Sequence, residues 1–391
     1  MIKVALDIHE ILMLKNKIYK YLSAEILKNF ITILLTFTAI AWVVRAVNFL
    51  DLMVEDGFSS SIYFKYSLLN ITTIMSRFVP LTFLLSLTIS IIKFEKQQEL
   101  LILWTSGLTK IKIVNVFLLL AFYITIFQLI LSLFINPYLL NKSRSLLSNS
   151  EELQINTVLK SNDFSDSFEN ITFYINEKNT NNELLNIFIK DVGGNLNAIV
   201  DEVGKSKNST IIAEKGFVTN NKLILFNGTI QTLSNDNELK NIKFEKTELS
   251  LVNVSTRTIK QPKIQETSSS SLFKCFLDPK NNSSLTNCSA NTLQVEIVQT
   301  LSRRLGTPLY IPLISIIVSF LLIYKKEKKY NFLKKYMLFI FSFLILIFAE
   351  ILLKYTGFSS VTTISYFILP IIISSFFYMY LIKKIITEKN I

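Results

Sequence analysis

The chain has 391 residues, half of them hydrophobic, with 41 Lys and Arg against 29 Asp and Glu and a net charge of +12. One histidine, His9, and two cysteines, Cys275 and Cys288, argue against histidine-based zinc or triad chemistry, and the positive charge needs no nucleic acid to explain it, because positive flanks orient membrane helices. An apolar fraction near one half also occurs in soluble domains, so its distribution decides: several windows run about 20 residues with almost no charge, the length a helix needs to cross a bilayer.

Residues 1–28 carry Lys3, Lys15, Lys17, Lys20 and Lys28 and read as a cytoplasmic amphipathic start. No cleavable signal peptide is expected, since a small-residue cleavage site is missing. Residues 29–50 form the first predicted span and 51–61 a short acidic turn. Residues 62–92 are a second span, longer than one crossing requires. Next comes KFEKQQELLILWTSGLTKIK, residues 93–112, a short charged helix and turn between apolar segments. Residues 113–135 are the third span, closed by Asn136-Pro137.

About 160 polar residues follow. Their short alternating runs, at 171–176, 184–190, 210–213, 223–226 and 242–245, are separated by turn signals such as Gly193-Gly194, Asn220-Asn221 and Asn227-Gly228. This is an all-β pattern of sandwich or jelly-roll kind. Residues 268–271 and 278–291 read as a loop-rich connector. The last spans are 305–324, 336–353 and 361–382, with a basic loop at 325–335, a short turn at 355–360 and a lysine-bearing tail. The expected fold is an α-helical membrane protein of six transmembrane helices with an inserted all-β, jelly-roll-like domain. Its expected domains are 1–137, 138–299 and 300–391.

Lysine placement sets the expected orientation. The N-terminal segment, the 93–112 and 325–335 loops and the tail hold 18 lysines together, and the two short loops on the other side hold no Lys or Arg. By the positive-inside rule both termini are cytoplasmic and the β domain lies outside. In a bacterial envelope that compartment is oxidising, so a Cys275–Cys288 disulfide is one reading and two free thiols the other.

Gly204-Lys205-Ser206 resembles the end of a P-loop, but the first glycine of that motif would fall on Ile199, and a turn is the better reading. No paired carboxylates, Ser/His set or metal cluster stands out, so no catalytic residue, metal or cofactor is assigned and any energy comes from a partner. The arginines are more telling. There are six among 41 basic residues, and Arg45, Arg77, Arg303 and Arg304 lie in or beside apolar spans. Arg45 is roughly 9 Å inside the outer end of the first span at 1.5 Å per residue. Arg303 and Arg304 stand at the entrance of the fourth span and Lys354 at the end of the fifth. Apart from the deeper Arg77, these charges gather in the outer half. Snorkelling to the interface explains any one of them, and Glu350 and Lys354 could pair at i and i+4. As a set they fit a cavity or substrate path, and arginine's planar fork suits phosphate. Pro80, Pro308, Pro312 and Pro370 would loosen their helices, tolerable where neighbours satisfy the freed carbonyls.

In its order of elements the chain resembles the LptF/LptG (YjgP/YjgQ) permease family, membrane subunits of the lipopolysaccharide export ABC transporter. KYLSAEILKNF at 20–30, Pro80, IIAEKGFV at 211–218, ILFNGTIQTL at 224–233 and above all EKQQELLILWTSGLT at 95–109 carry the likeness. It implies a pseudo-symmetric pair with an LptG-like paralogous permease over an LptB-like cytoplasmic ATPase dimer. It further implies a coupling helix with Glu99 and Gly107 at its marked positions, and a jelly-roll passing lipid to an LptC/LptA-like periplasmic bridge. Arg45, Arg304 and Lys354 match positions that hold lipopolysaccharide phosphates; a second basic position of the first span falls on Asn48, and Arg77 has no clear counterpart. The turn Phe49-Leu50-Asp51, PLYIPL at 308–313 and the two cysteines of the connector resemble the LptF side. Rival readings are the LptG role in the same complex and a membrane-anchored envelope scaffold or sensor without transport.

Overall fold

The structure, a computed structural model, describes residues 17–50, 53, 59–148, 162–168, 171–179, 183–192, 208–219, 222–233, 239–250, 263–278, 288, 291–323 and 331–389. Among the described residues, six helical stretches are long and apolar enough to cross a membrane: Lys17–Asn48, Ser60–Lys96, Lys110–Leu147, Leu293–Ile323, Lys335–Tyr355 and Ser360–Thr387. Contacts divide the chain into two units, one of residues 1–43, 70–140 and 263–391, the other of residues 44–69 and 141–262. The connector therefore groups with the helices.

The first span is α1 (Lys17–Asn48), and it begins a dozen residues before the predicted start. Its buried residues Tyr19, Leu22, Ile26, Phe30, Leu34 and Thr38 recur every three or four positions, one stripe of a helix. Ile31, Leu35 and Ile40 on other faces are 46–59% exposed. Such continuous apolar exposure suits hydrocarbon, not water. After α2 (Ser60–Leu69), α3 (Ile71–Lys96) carries small buried residues, Ser76, Thr82, Ser86, Thr88 and Ser90, of the kind that lets helices approach in lipid. Several hydroxyls return to their own backbone, Thr82 to Phe78 at 2.9 Å and Thr88 to Leu84 at 2.8 Å. Then come α4 (Glu99–Thr105), α5 (Lys110–Ile130), a π-helical turn (Leu131–Ile135) and α6 (Asn136–Ser148).

The connector contains α7 (Ser269–Leu277), capped by the Ser268 hydroxyl, which accepts from Ser271 N. Cys275 and Cys288 are disulfide-bonded, with Cα atoms 5.8 Å apart. The fourth span is α8 (Asn291–Gly306) followed by α9 (Tyr310–Ser319). In α9 nine of ten residues are buried, which makes it the centre of the helical unit, packed by α5, α3 and the last helices, α10 (Asn331–Tyr355) and α11 (Ser360–Lys389).

Prolines interrupt this unit at five places, and each interruption is answered from another helix. A proline at position i leaves the carbonyl of i−4 without its N–H, and in lipid no water replaces it. Pro80 frees Ser76 O, which accepts from Gln128 Nε2 at 3.2 Å. Pro137 frees Leu133 O, which accepts from Ser269 Oγ at 2.7 Å. Pro308 frees Arg304 O, which accepts from Ser132 Oγ at 2.8 Å. Pro312 frees Pro308 O, met by Thr125 Oγ1 at a longer 3.4 Å. Pro370 frees Tyr366 O, which accepts from the Tyr310 hydroxyl at 3.2 Å. The third span accordingly does not end at Asn136-Pro137: helix continues to Ser148, because Ser269 takes the carbonyl that the proline orphans.

Among its described residues the second unit holds six strands: β1 (Asp163–Phe168), β2 (Ile171–Lys178), β3 (Glu183–Asp191), β4 (Asn208–Thr219), β5 (Lys222–Leu233) and β6 (Leu239–Ser250). They form one antiparallel meander in sequence order. Consecutive strands pair because their connections are short, as between β4 and β5. The inserted all-β domain is as expected, and its described strands make a single sheet. Asn227-Gly228, expected to be a turn, lies inside β5. There it belongs to a crease: the facing positions 176, 186, 214, 227 and 245 are unpaired in successive ladders, and register resumes unchanged beyond them. Asn186 and Asn227 have left-handed backbone, both at φ 50, a conformation asparagine tolerates. The buried face shifts phase there: Leu184 then Ile187, Ala213 then Gly216, Leu225 then Ile230. Gly193-Gly194, Asn220-Asn221 and Gly204-Lys205-Ser206 lie outside the described residues.

Candidate functional site

A cavity of about 310 Å³ lies within the helical unit, walled by α3, α9, α10 and α11. Residues 77, 80 and 81 share one face of α3, and 343, 347, 350, 351 and 354 recur at helical spacing on α10. This brings Arg77 and Lys354 onto the wall of one cavity, with Glu350, Thr307, Tyr310 and Tyr366. The tyrosines form its floor, with ring centres 5.5 Å apart. Tyr366 can approach the fourth span because residue 306 is glycine: a Cβ there would meet the ring at 2.3 Å. The cavity is mostly apolar with two cations, a set suited to an amphiphile bearing an anionic group.

The other predicted cations are placed differently. Arg303 is exposed, and its Nη2 lies 3.9 Å from Glu350 Oε2; sequence spacing had pointed instead to Glu350 with Lys354. Arg304 is 6% exposed. Its Nη1 donates to Ser269 Oγ at 2.7 Å, and its Nη2 to the carbonyls of Gln265 and Thr267, each at 3.0 Å. Arg304 does not line the cavity. Arg45 stands in the last turn of α1 within the second unit, where Tyr63 donates to Ala46 O at 2.9 Å and Phe49 packs edge-on against Tyr66.

At the other end of α3 lies the charged helix. Gln98 turns the chain with a left-handed φ of 60, and α4 buries Leu100 and Leu103 while Leu101 and Ile102 are 58% and 63% exposed. Its C-terminus closes through Leu108 N to Leu103 O at 3.1 Å and Gly107 N to Trp104 O at 3.2 Å, with Gly107 at φ +87. This is the Schellman arrangement, which glycine adopts without Cβ strain. Glu99 Oε1 accepts from the Tyr21 hydroxyl at 3.1 Å. Glu99 also lines a second cavity, of about 370 Å³, with Tyr21, Leu22 and Ile102. Ion pairs Glu25–Lys93 and Glu95–Lys335 tie α3 to α1 and α10 beside it, and Lys110 lies 5.9 Å from the Trp104 ring.

Sequence reasoning missed Tyr21, Gln128, Ser269, Lys335 and the pairing of Tyr310 with Tyr366, because their partners are distant in the chain. The prolines were the available signal: each predicted a donor without saying which residue supplied it.

Six apolar helices with an inserted antiparallel sheet, and a cavity of apolar and charged lining among the helices, define a multi-pass membrane protein. The sequence model of the lipopolysaccharide export system permease LptF/LptG matches residues 20–384. The chain belongs to that family, and it is a lipopolysaccharide export permease subunit of the inner membrane rather than a catalytic enzyme. No curated protein matches the chain.

Proposed function

We propose that this chain is the LptF-side permease of an ABC transporter, with both termini in the cytoplasm and the sheet unit in the periplasm. It pairs with an LptG-like permease, and an LptB-like ATPase dimer docks against α4. ATP hydrolysis there moves α3, which α4 follows in the chain and which ion pairs tie to α1 and α10, and lipopolysaccharide passes upward to an LptC/LptA-like bridge. Lysine distribution supports the orientation. The exposed Leu101–Ile102 edge supports the docking, with Glu99 and Gly107 fixing the helix that carries it. The turn at 49–51 and the two connector cysteines favour the LptF side.

The observation that carries the reading is the cavity with Arg77 and Lys354 on one wall. Apolar lining takes acyl chain and the two cations take phosphate. Arg303, partly balanced by Glu350, guards its edge, and Arg45, in the second unit, is a separate candidate phosphate contact. Arg77→Glu combined with Lys354→Glu places two carboxylates where phosphate binds. Lipopolysaccharide release from membrane vesicles should fall at least about tenfold, a loss of roughly 1.4 kcal/mol of binding. Normal release from an inserted, folded double variant would sink the lipid-path reading.

A further inference from the structure

The connector is gripped by α8 at two points. At one end Arg304 reaches Gln265, Thr267 and Ser269. At the other, Gln294 Nε2 donates to the carbonyls of Cys288 at 2.6 Å and Cys275 at 3.3 Å. The two grips are ten residues apart on one chain, roughly 15 Å along a helix. Between them Leu272 and Cys275 of α7 bury against Ile297 and Leu301. The Arg304 end is also a junction of two proline-freed carbonyls. Ser269, which accepts from Arg304, itself donates to Leu133 O, and Arg304's own carbonyl accepts from Ser132. Connector, third span and fourth span thus meet at one guanidinium.

All three acceptors of that guanidinium are neutral. A planar fork reaches three oxygens in different directions, which a single ammonium on a flexible stem does not. What the site requires is therefore the shape of arginine rather than its charge. A phosphate-binding cation would require the reverse.

We propose that Arg304 is a positioning residue that fixes the connector to the junction of the third and fourth spans, and that it holds no lipid phosphate. The inference rests on the reading of this chain as a lipid exporter, but it assigns one expected phosphate ligand to a different task. The connector is the segment that follows the sheet unit in sequence, so its anchorage fixes where the chain joins the fourth span.

The test uses the full-length protein with its co-purifying chains and two readouts. One is the rate at which a lysine-specific protease cuts the connector at the exposed Lys263 and Lys274. The other is lipopolysaccharide release from membrane vesicles. Arg304→Lys keeps the charge and loses the fork. It should speed connector cleavage about tenfold, as Arg304→Gln does, and both variants should lose release. A phosphate ligand predicts the opposite: Arg304→Lys nearly wild type in both readouts, with only Arg304→Gln impaired. That pattern, or wild-type cleavage in every variant, overturns the proposal. If the Arg304 variants do not accumulate, Ser269→Ala removes one acceptor, and with it the donor to Leu133 O, while the cation stays intact. It should raise cleavage about threefold, and no change would equally overturn the proposal. Failure of the cavity reading is distinguishable, since Arg77→Glu with Lys354→Glu should leave connector cleavage unchanged.

Discussion

The helical unit and the sheet unit each break their own regular pattern, and they do so by different means. In the helices the break is a proline, and each freed carbonyl is met by a side chain from a distant part of the sequence, such as Gln128 for Ser76 or Tyr310 for Tyr366. In the sheet the break is a left-handed asparagine at 186 and 227, and facing positions in the neighbouring strands stay unpaired together. The difference follows from the solvent. A carbonyl orphaned in hydrocarbon has only protein to turn to, so every kink becomes a specific inter-helix bond. Exposed crease residues such as Glu214 and Asn227 have water available, and their own contact is a modest 3.3 Å hydrogen bond. The sheet therefore requires only that its strands rotate at matching positions.

The largest expected effect is at the crease. A Cβ on Gly228 would meet the Ile212 carbonyl and the Phe244 ring, both at 2.4 Å. The carbonyl is backbone within a paired strand and has no rotamer to change, so Gly228→Ala should destabilise the sheet by about 3 kcal/mol. Hydrogen-exchange mass spectrometry of the full chain would show it as faster exchange across 208–250 with the helices unaffected. Gly306→Ala is the helical counterpart. Its obstacle is the Tyr366 side chain at 2.3 Å, which can shift toward the cavity, so about 1–2 kcal/mol is expected. Equal effects at the two glycines would mean that the sheet yields as easily as the helix packing.

Asn227 separates conformation from contact. Asn227→Val places a β-branched residue at φ 50, where L side chains are strained by about 1–2 kcal/mol. Asn227→Gly gives up the hydrogen bond to Glu214 and keeps the backbone. Local exchange at β4 and β5 should rise several-fold in the valine variant and stay near wild type in the glycine variant. If both behave alike, the crease depends on the side-chain contact and not on the left-handed turn.

These distinctions explain what could be read in the sequence. Hydrophobic windows placed all six spans, because span length and lack of charge are local properties. Lys93–Lys112 was recognisable as a short helix ending at a glycine for the same reason. Asn227-Gly228 misled because the pair is a strong hairpin signal, and nothing local reveals that Asn186, 41 positions earlier, turns at a facing point. Asn136-Pro137 misled because a proline ends a helix unless its freed carbonyl finds a donor, and here the donor is Ser269. Of the candidate site, Arg77 and Lys354 do share a cavity. Arg304 is indistinguishable from them in sequence, since its acceptors lie 35 to 39 positions away.

The smallest effect gives the sharpest test of the comparison. Gln128 is buried within the third span, and its amide N–H meets Ser76 O while its own Oε1 has no hydrogen-bond partner. Gln128→Leu therefore orphans one carbonyl and removes another unmet one, so the net loss should be only about 1 kcal/mol, in the range of single polar contacts between membrane helices. Pro80→Ala gives Ser76 O a helical N–H of its own and makes Gln128 redundant. In the Pro80→Ala background Gln128→Leu should then be neutral or slightly stabilising. The cycle is read by unfolding in mixed detergent, and the expected coupling between the two positions is about 1 kcal/mol. Additive losses would show that Gln128 acts through its bond to the rest of the α3 junction. Coupling of the expected sign would show that a proline and its donor, 48 positions apart in the chain, form one structural element.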